Sequence, residues 1–176
     1  MAADDRTLAY ASALLAVAGN EDNLAEVEDE LFRFARTLEA SDELRTTLTD
    51  AALPVSRRQQ IVEDLLGGKA NPVTVALASM VIGTGRSRDL VSIIDELVKL
   101  SAAESNKELA EVRSAVPLTD DQQTRLAEAL GKATGKAIEL KVVIDPSVLG
   151  GLVAQVGDTV IDGSVRSRLE QLKTAF

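Results

Sequence analysis

The spacing of the apolar residues changes near Asn106, and this change constrains the fold more than any other feature. Before it, apolar side chains recur at the spacing of one helical face. The clearest run is Leu24, Val27, Leu31, Phe34 and Leu38. After it, apolar and polar residues alternate, as along a β-strand. The sequence therefore predicts an α+β protein, with a helical domain at residues 1–104 and a small α/β domain at residues 105–176.

Helix-breaking and capping residues divide the first domain into six helices. Gly67 and Gly68 end the fourth, and Asn71-Pro72 begins the fifth, because proline suits the first position of a helix. The fifth helix is apolar on nearly all sides, which indicates a central position. The predicted helices are 8–18, one that begins after Asn20, one from Ser41 or Asp42, about 56–66, 73–82 and one that ends near Ser105. Short connections favour a six-helix bundle.

The second domain reads as strand, helix, strand, hairpin and helix. Residues 109–116 and 138–144 alternate like strands, and Thr119 with Gln122 forms a capping box for the helix between them. Leu126, Leu130 and Ala133 are expected on the inner face of that helix. Gly157-Asp158 lies between two β-rich runs, which is typical of a two-residue hairpin turn. Ser164 is a suitable N-cap for the last helix, with Val165, Leu169 and Leu172 on one side.

The excess acidic charge is concentrated in the helical domain. The chain has a net charge of −9, and residues 1–104 hold 10 basic and 18 acidic side chains. Acidic residues of the second helix lie off its apolar seam, and we interpret them as a solvated face with Arg33 as ion-pair partner: Glu26, Glu28, Asp29 and Glu30. Such a chain lacks the basic surface of a nucleic-acid-binding protein. A neutral or basic protein partner is favoured, and solubility alone is the competing explanation.

The absence of histidine and cysteine excludes most catalytic templates. No imidazole base, thiolate nucleophile, disulfide or zinc site of the usual kind can form without them. Asp158 and Asp162 stand beside glycines, where aspartate is usually chosen for turn hydrogen bonds, so we interpret them as structural. No apolar run approaches the length of a membrane span. Asp4 and Asp5 precede the apolar segment 8–18, which favours a first helix over a secretory signal.

Two glycine-rich segments fail the spacing of phosphate-binding loops. The segment 131–136 has three residues between its glycines instead of four, and Ala137 stands where a magnesium-binding hydroxyl would be. The end of a helix explains it better. The segment 83–88 follows a helix and lacks the third glycine of a dinucleotide loop. There, Arg86 is expected to bond carbonyls at the helix end.

The segment 144–169 closely resembles the signature of the delta subunit of bacterial F-type ATP synthase, which is related to the mitochondrial oligomycin-sensitivity-conferring protein. Its sequence is IDPSVLGGLVAQVGDTVIDGSVRSRL. Its turn residues are interpreted as mainly structural: Gly150, Gly151, Gly157, Asp158, Asp162, Gly163 and Ser164. Tyr10-Ala11 with Leu14, Gly85-Arg86 and the segment 114–119 also resemble the family, so the resemblance spans the chain.

The resemblance implies a non-catalytic subunit of the peripheral stalk, without cofactor or metal. Such a subunit lies on the cytoplasmic face of the membrane, in one copy per complex, and holds the stator so that rotation is coupled to ATP synthesis. In the family, the N-terminal domain binds N-terminal segments of the alpha subunits through its first and fifth helices, with beta subunits as further partners. The C-terminal domain receives the b subunits. Carried over by position, the alpha contacts are Tyr10, Ala11, Leu14, Ala76, Leu77 and Met80.

Other interpretations stay open on the residues alone. Taken singly, Tyr10, Leu14 and Met80 are each expected in the core rather than at a contact. A free-standing acidic helical adaptor or regulator of the same fold would show the same patterns, and a small hydrolase is a more distant alternative. Binding of an alpha-subunit peptide would distinguish the stalk subunit from the free-standing adaptor. Nucleotide turnover would favour the hydrolase.

Overall fold

A computed structural model describes residues 2–19, 23–148, 150–157 and 159–162. The chain divides into two compact units, Met1–Ser101 and Ala102–Phe176, which are described separately below. The division falls inside the sixth helix, whereas the sequence suggests it after residue 104. The last turn of that helix belongs to the second unit. There, the Lys107 backbone N–H donates a 2.8 Å hydrogen bond to the Ala102 carbonyl.

The first unit contains six helices within its described part. Their bounds are α1 Ala2–Ala18, α2 Leu24–Ala40, α3 Asp42–Thr49, α4 Val55–Leu66, α5 Pro72–Gly83 and α6 Leu90–Glu104, the last of which continues into the second unit. Local chemistry sets several starts: the Ser41 hydroxyl caps α3 and the Asn71 side chain caps α5, with Pro72 in its first turn. Asn20 was expected to begin α2, but the helix starts after Asn23, and Asn20 lies outside the described residues.

The core of this unit comes from the apolar stripes of its helices. The largest fully buried side chains include Leu14, Leu31, Val62, Ile82, Ile93 and Leu97. As expected for a central helix, α5 buries most of its circumference, with Leu77, Ala78, Val81 and Ile82 inside. Apolar burial of this kind is the main favourable term in folding.

Polar contacts link α2 to its neighbours, and they correct the expectation of a solvated acidic face. Glu28 is only 3% exposed and accepts a 2.6 Å hydrogen bond from the Ser101 hydroxyl of α6. Glu30 accepts from the Thr74 hydroxyl at 2.6 Å and from the Asn71 backbone N–H at 2.8 Å, both at the start of α5. Arg33 pairs with Asp29 at 3.1 Å, as expected. The expectation of a solvated face was wrong because α5 and α6 also contact residues of α2 that lie beside its apolar face.

The second unit is built on a four-stranded sheet of order β2-β1-β3-β4. The strands are β1 Glu108–Ser114, β2 Ile138–Ile144, β3 Leu152–Val156 and β4 Thr159–Asp162, and helix α7 spans Asp120–Thr134. β1 pairs in parallel with β2 and antiparallel with β3. A parallel pair needs a crossover connection, which α7 supplies. The core of this unit is formed by Ala110, Val112, Leu130, Ala154 and Val156.

One expectation about side-chain orientation in this unit was wrong. Ala133 is exposed, because the inner stripe of α7 advances by four residues from Leu126 through Leu130 to Thr134. In β2, Ile144 is 49% exposed and Lys141 only 6% exposed. β2 is an outer strand of the sheet, so its alternation alone does not decide which residues the rest of the unit covers.

The turns follow the predicted chemistry. Val156 of β3 pairs with Thr159 of β4, and Gly157 has the positive φ, 55°, that the predicted hairpin turn requires, whereas Asp158 lies outside the described residues. Gly135 ends α7 at φ 72°, which confirms the interpretation of the segment 131–136 as a helix end. Gly163, Ser164 and the predicted last helix lie outside the described residues.

We expect Thr119→Ala to destabilise the second unit by about 1 kcal/mol, the usual cost of losing an N-cap side chain. The Thr119 hydroxyl accepts from the Gln122 N–H at 3.3 Å, and the Gln122 side chain accepts from the Thr119 N–H at 2.9 Å. Hydrogen exchange of the α7 amides measures the loss. Thr124→Ala, on the exposed face of the same helix, is the matched control. Equal effects of the two substitutions would contradict a capping role.

The stability of the second unit should also fall in acid. The pKa of Asp145 lies below its usual value because the carboxylate accepts hydrogen bonds from the Ser147 hydroxyl and backbone N–H. A lowered pKa in the folded state means that ionised Asp145 favours folding above its unfolded pKa of about 3.8. This contribution is lost as the pH falls through the folded pKa. A side-chain NMR titration should give a midpoint below 3.8, and Asp145→Asn should weaken the acid dependence.

Candidate functional site

The six positions with expected partner contacts divide by exposure. Ala11, Leu14 and Leu77 are 0%, 1% and 3% exposed, so they belong to the core of the first unit. Tyr10 is half-buried, Ala76 is exposed, and Met80 is 43% exposed. Buried side chains can support a binding surface from below, but only the accessible ones can touch a partner.

The accessible side of α5 is an uncharged stripe. Its exposed residues follow one another along a single face of the helix: Pro72, Ala76, Met80 and Gly83. The whole helix contains no charged residue. A flexible methionine flanked by small residues allows another helix to approach closely and adapt. We call these four residues the α5 stripe.

Helix α1 exposes a similar face over its last turns. Its exposed residues there are Ala9, Ser12, Ala13, Ala16 and Val17, with Val17 48% exposed. None of them carries a charge. These positions are not among the predicted contacts, which were carried over by position from the family and include the buried Ala11 and Leu14. An exposed run of small uncharged residues beside the apolar stripe of α1 was the available signal.

Arg86 connects α1 to the segment after α5. Its guanidinium lies over the Tyr10 ring, 5.4 Å from the centroid, and donates a 3.0 Å hydrogen bond to Asp89. The bond to Asp89 is the main reason that the pKa of Arg86 is raised, so the side chain stays charged at neutral pH. Arg86 was expected to bond helix-end carbonyls, and its backbone N–H does donate to the Val81 carbonyl of α5 at 3.1 Å, whereas its guanidinium contacts Tyr10 and Asp89 instead. The nearby aromatic face and carboxylate are stronger partners for a guanidinium.

The acidic residues of the described part of the chain do not gather into a metal-binding group. No group of three or more acidic residues among them could hold a metal ion. Asp162 ends β4, whereas Asp158 lies outside the described residues. Within the same part of the chain, no helix has both the length and the hydropathy needed to cross a bilayer.

Comparison with known proteins agrees with this picture of helices and a small sheet. The family model described as ATP synthase delta (OSCP) subunit matches residues 7–176. The chain belongs to this family. The family therefore covers both units, including residues that the structure does not describe.

Curated relatives carry the same family name. The chain is 42% identical over 170 residues to ATP synthase subunit delta of Nocardia farcinica, covering 97% of this chain and 63% of that protein. It is 43% identical over 157 residues to ATP synthase subunit delta of Streptomyces griseus, covering 89% and 58%. The chain thus spans less than two thirds of the length of these relatives.

A solved structure supports the fold. A chain in the cryo-EM structure of the Toxoplasma gondii mitochondrial ATP synthase hexamer superposes with a TM-score of 0.56, over 96% of both chains. Sequence identity is 24%, so this likeness concerns the α+β architecture alone.

Substitutions should separate core residues from accessible ones among the family positions. We expect Leu14→Ala to cost about 2–5 kcal/mol of unfolding free energy, because it leaves a cavity in the core. Met80→Ala, at a 43% exposed position, should change it by no more than about 0.5 kcal/mol. Urea unfolding followed by circular dichroism measures both. A small loss for Leu14→Ala would show that this side chain is not packed.

Proposed function

We propose that the chain is a non-catalytic peripheral-stalk subunit of the F-type ATP synthase. It would link the catalytic head to the membrane sector, so that rotation is coupled to proton translocation and ATP synthesis. Catalysis would lie in other subunits. The chain would be present in one copy per complex, on the cytoplasmic face of the cell membrane. Family membership over residues 7–176 supports this role.

The observation that carries the proposal is the α5 stripe, together with the uncharged exposed face of α1. A six-helix bundle formed by residues 1–104 would bind amphipathic N-terminal segments of the alpha subunits there. Helix-in-groove binding needs apolar anchors and close approach, which Met80 and its small neighbours offer. Beta subunits are further candidate partners in the head.

Charge favours the same kind of partner. Residues 1–104 carry 18 acidic and 10 basic side chains, whereas the α5 stripe is uncharged. A partner segment with an apolar face and basic flanks would therefore place its apolar face on the α5 stripe and its basic residues near the acidic surface around it. Complementary potentials of this kind raise association rates and orient the partner. Burial of the apolar face would then slow dissociation, which a stator under torque requires.

Residues 105–176 would receive the end of the b subunits. β4 is an outer strand, and all four of its residues are exposed, with Val160 at 60% and Ile161 at 42%. Exposed apolar side chains on a short outer strand suit a partner that covers them. This assignment is independent of the one made for α1 and α5.

The peptide test uses the full chain. A synthetic peptide of the alpha-subunit N-terminus should bind with micromolar affinity or better in isothermal titration calorimetry. Met80→Asp should weaken binding at least about tenfold, because a charge in an apolar contact must be desolvated. Leu65→Asp is the matched control, since Leu65 on α4 is 39% exposed and Met80 43%.

Three outcomes would count against the proposal. No detectable heat at high peptide concentration would favour a free-standing adaptor instead. Equal loss of affinity in Met80→Asp and Leu65→Asp would remove α5 from the contact. Nucleotide turnover by the isolated chain would support an enzyme.

A further inference from the structure

Arg58 is a buried cation without a carboxylate partner. It lies on α4, is 9% exposed, and donates from Nη1 to the Leu48 carbonyl and to the Ser87 hydroxyl, both at 3.3 Å. Its Nε has no hydrogen-bond partner in the structure. Among the residues that the structure describes, no carboxylate lies within ion-pair distance of its guanidinium. Buried charges are normally paired, because leaving one unpaired costs several kcal/mol.

Both acceptors of Arg58 belong to the wall of a cleft of about 270 Å³. The cleft is lined by Leu38 of α2, Arg45, Leu48 and Thr49 of α3, Ser87 and Arg88 of the α5–α6 connection, and Val91 of α6. We call it the arginine cleft. Arg45 and Arg88 are exposed and line it directly, and the buried Arg58 lies behind them. Two arginines thus line the cleft and a third is bonded to two residues of its wall, in a unit with a large excess of acid.

Of the two arginines at the wall of the cleft, one is already paired with a carboxylate. Arg45 pairs with Asp42, whose side chain is 86% exposed and does not line the cleft. Arg88 forms no ion pair with any residue that the structure describes. Asp89 is held by Arg86 at 3.0 Å. The C-terminal end of α3 is partly negative, but its Leu48 carbonyl is already bonded to Arg58, and the N-terminal end of α6 is positive.

We propose that the arginine cleft binds a small phosphate monoester. Guanidinium groups and hydroxyls are the donors that phosphate oxygens need. Arg45, Arg88 and the Ser87 hydroxyl supply them at the wall, whereas the Thr49 hydroxyl already donates to the Arg45 carbonyl at 2.8 Å. The opposite wall is apolar, with Leu38, Leu48 and Val91, so it suits an organic group on the phosphate. The volume of 270 Å³ lies near the lower limit of small-molecule sites, roughly 300 Å³.

Phenyl phosphate is the probe, titrated into the ¹⁵N-labelled full chain at constant ionic strength. The amide signals of Thr49, Ser87, Arg88 and Val91 should move together. Arg88→Gln should weaken binding about tenfold, because it removes a charge-assisted contact. Arg57→Gln, an exposed arginine of α4 outside the cleft wall, is the matched control and should leave the affinity unchanged.

Two comparison ligands test the chemistry. Inorganic phosphate should bind several-fold more weakly than phenyl phosphate, and benzoate more weakly still. Equal affinity for any pair of these ligands would overturn the proposal. Chemical-shift changes spread over all surface arginines would also overturn it, and so would equal effects of Arg88→Gln and Arg57→Gln. Either result would mean that the ligand binds as a diffuse counterion and not in the cleft. If Arg58 serves only to cap α3, none of the ligands will show saturable shifts at the cleft.

Discussion

The position of α5 depends on one carboxylate from another helix. Glu30 of α2 accepts hydrogen bonds from the Asn71 N–H and the Thr74 hydroxyl, at the start of α5. A negative group at this end of a helix also interacts favourably with its dipole. Gln59 of α4 donates a further hydrogen bond to the Ser79 carbonyl of α5. These polar contacts act together with the burial of Leu77, Val81 and Ile82, which leaves Met80 and its small neighbours as the exposed stripe.

The second unit relies on a different constraint, the central position of β1. β1 pairs with β2 through one edge and with β3 through the other, so the helix crossover and the hairpin meet on the same strand. Its buried Ala110 and Val112 form the core of the unit with Leu130 of α7 and with Ala154 and Val156 of β3. Larger side chains from α7 and the neighbouring strands, such as Leu126 and Leu140, pack around this cluster.

Structural features that depend only on neighbouring residues could be predicted from the sequence. The capping box at Thr119, the proline start of α5 and the Gly157 turn depend on neighbours a few residues away, and all were predicted. Whether a side chain is buried could not be predicted where helices or strands distant in sequence cover it. Glu28 was interpreted as part of a solvated face, but it is buried and its carboxylate accepts a hydrogen bond from Ser101 of α6.

The candidate sites also depend partly on local sequence and partly on tertiary packing. The sequence by itself determined the α+β class, the order of nearly all described elements and the family resemblance, because periodicity, caps and turn residues are local. Only the tertiary structure decided that Leu14 and Leu77 are core while Met80 is accessible. It also brought Arg45, Arg58 and Arg88 around one cleft, since three-dimensional packing joins residues that no spacing rule relates.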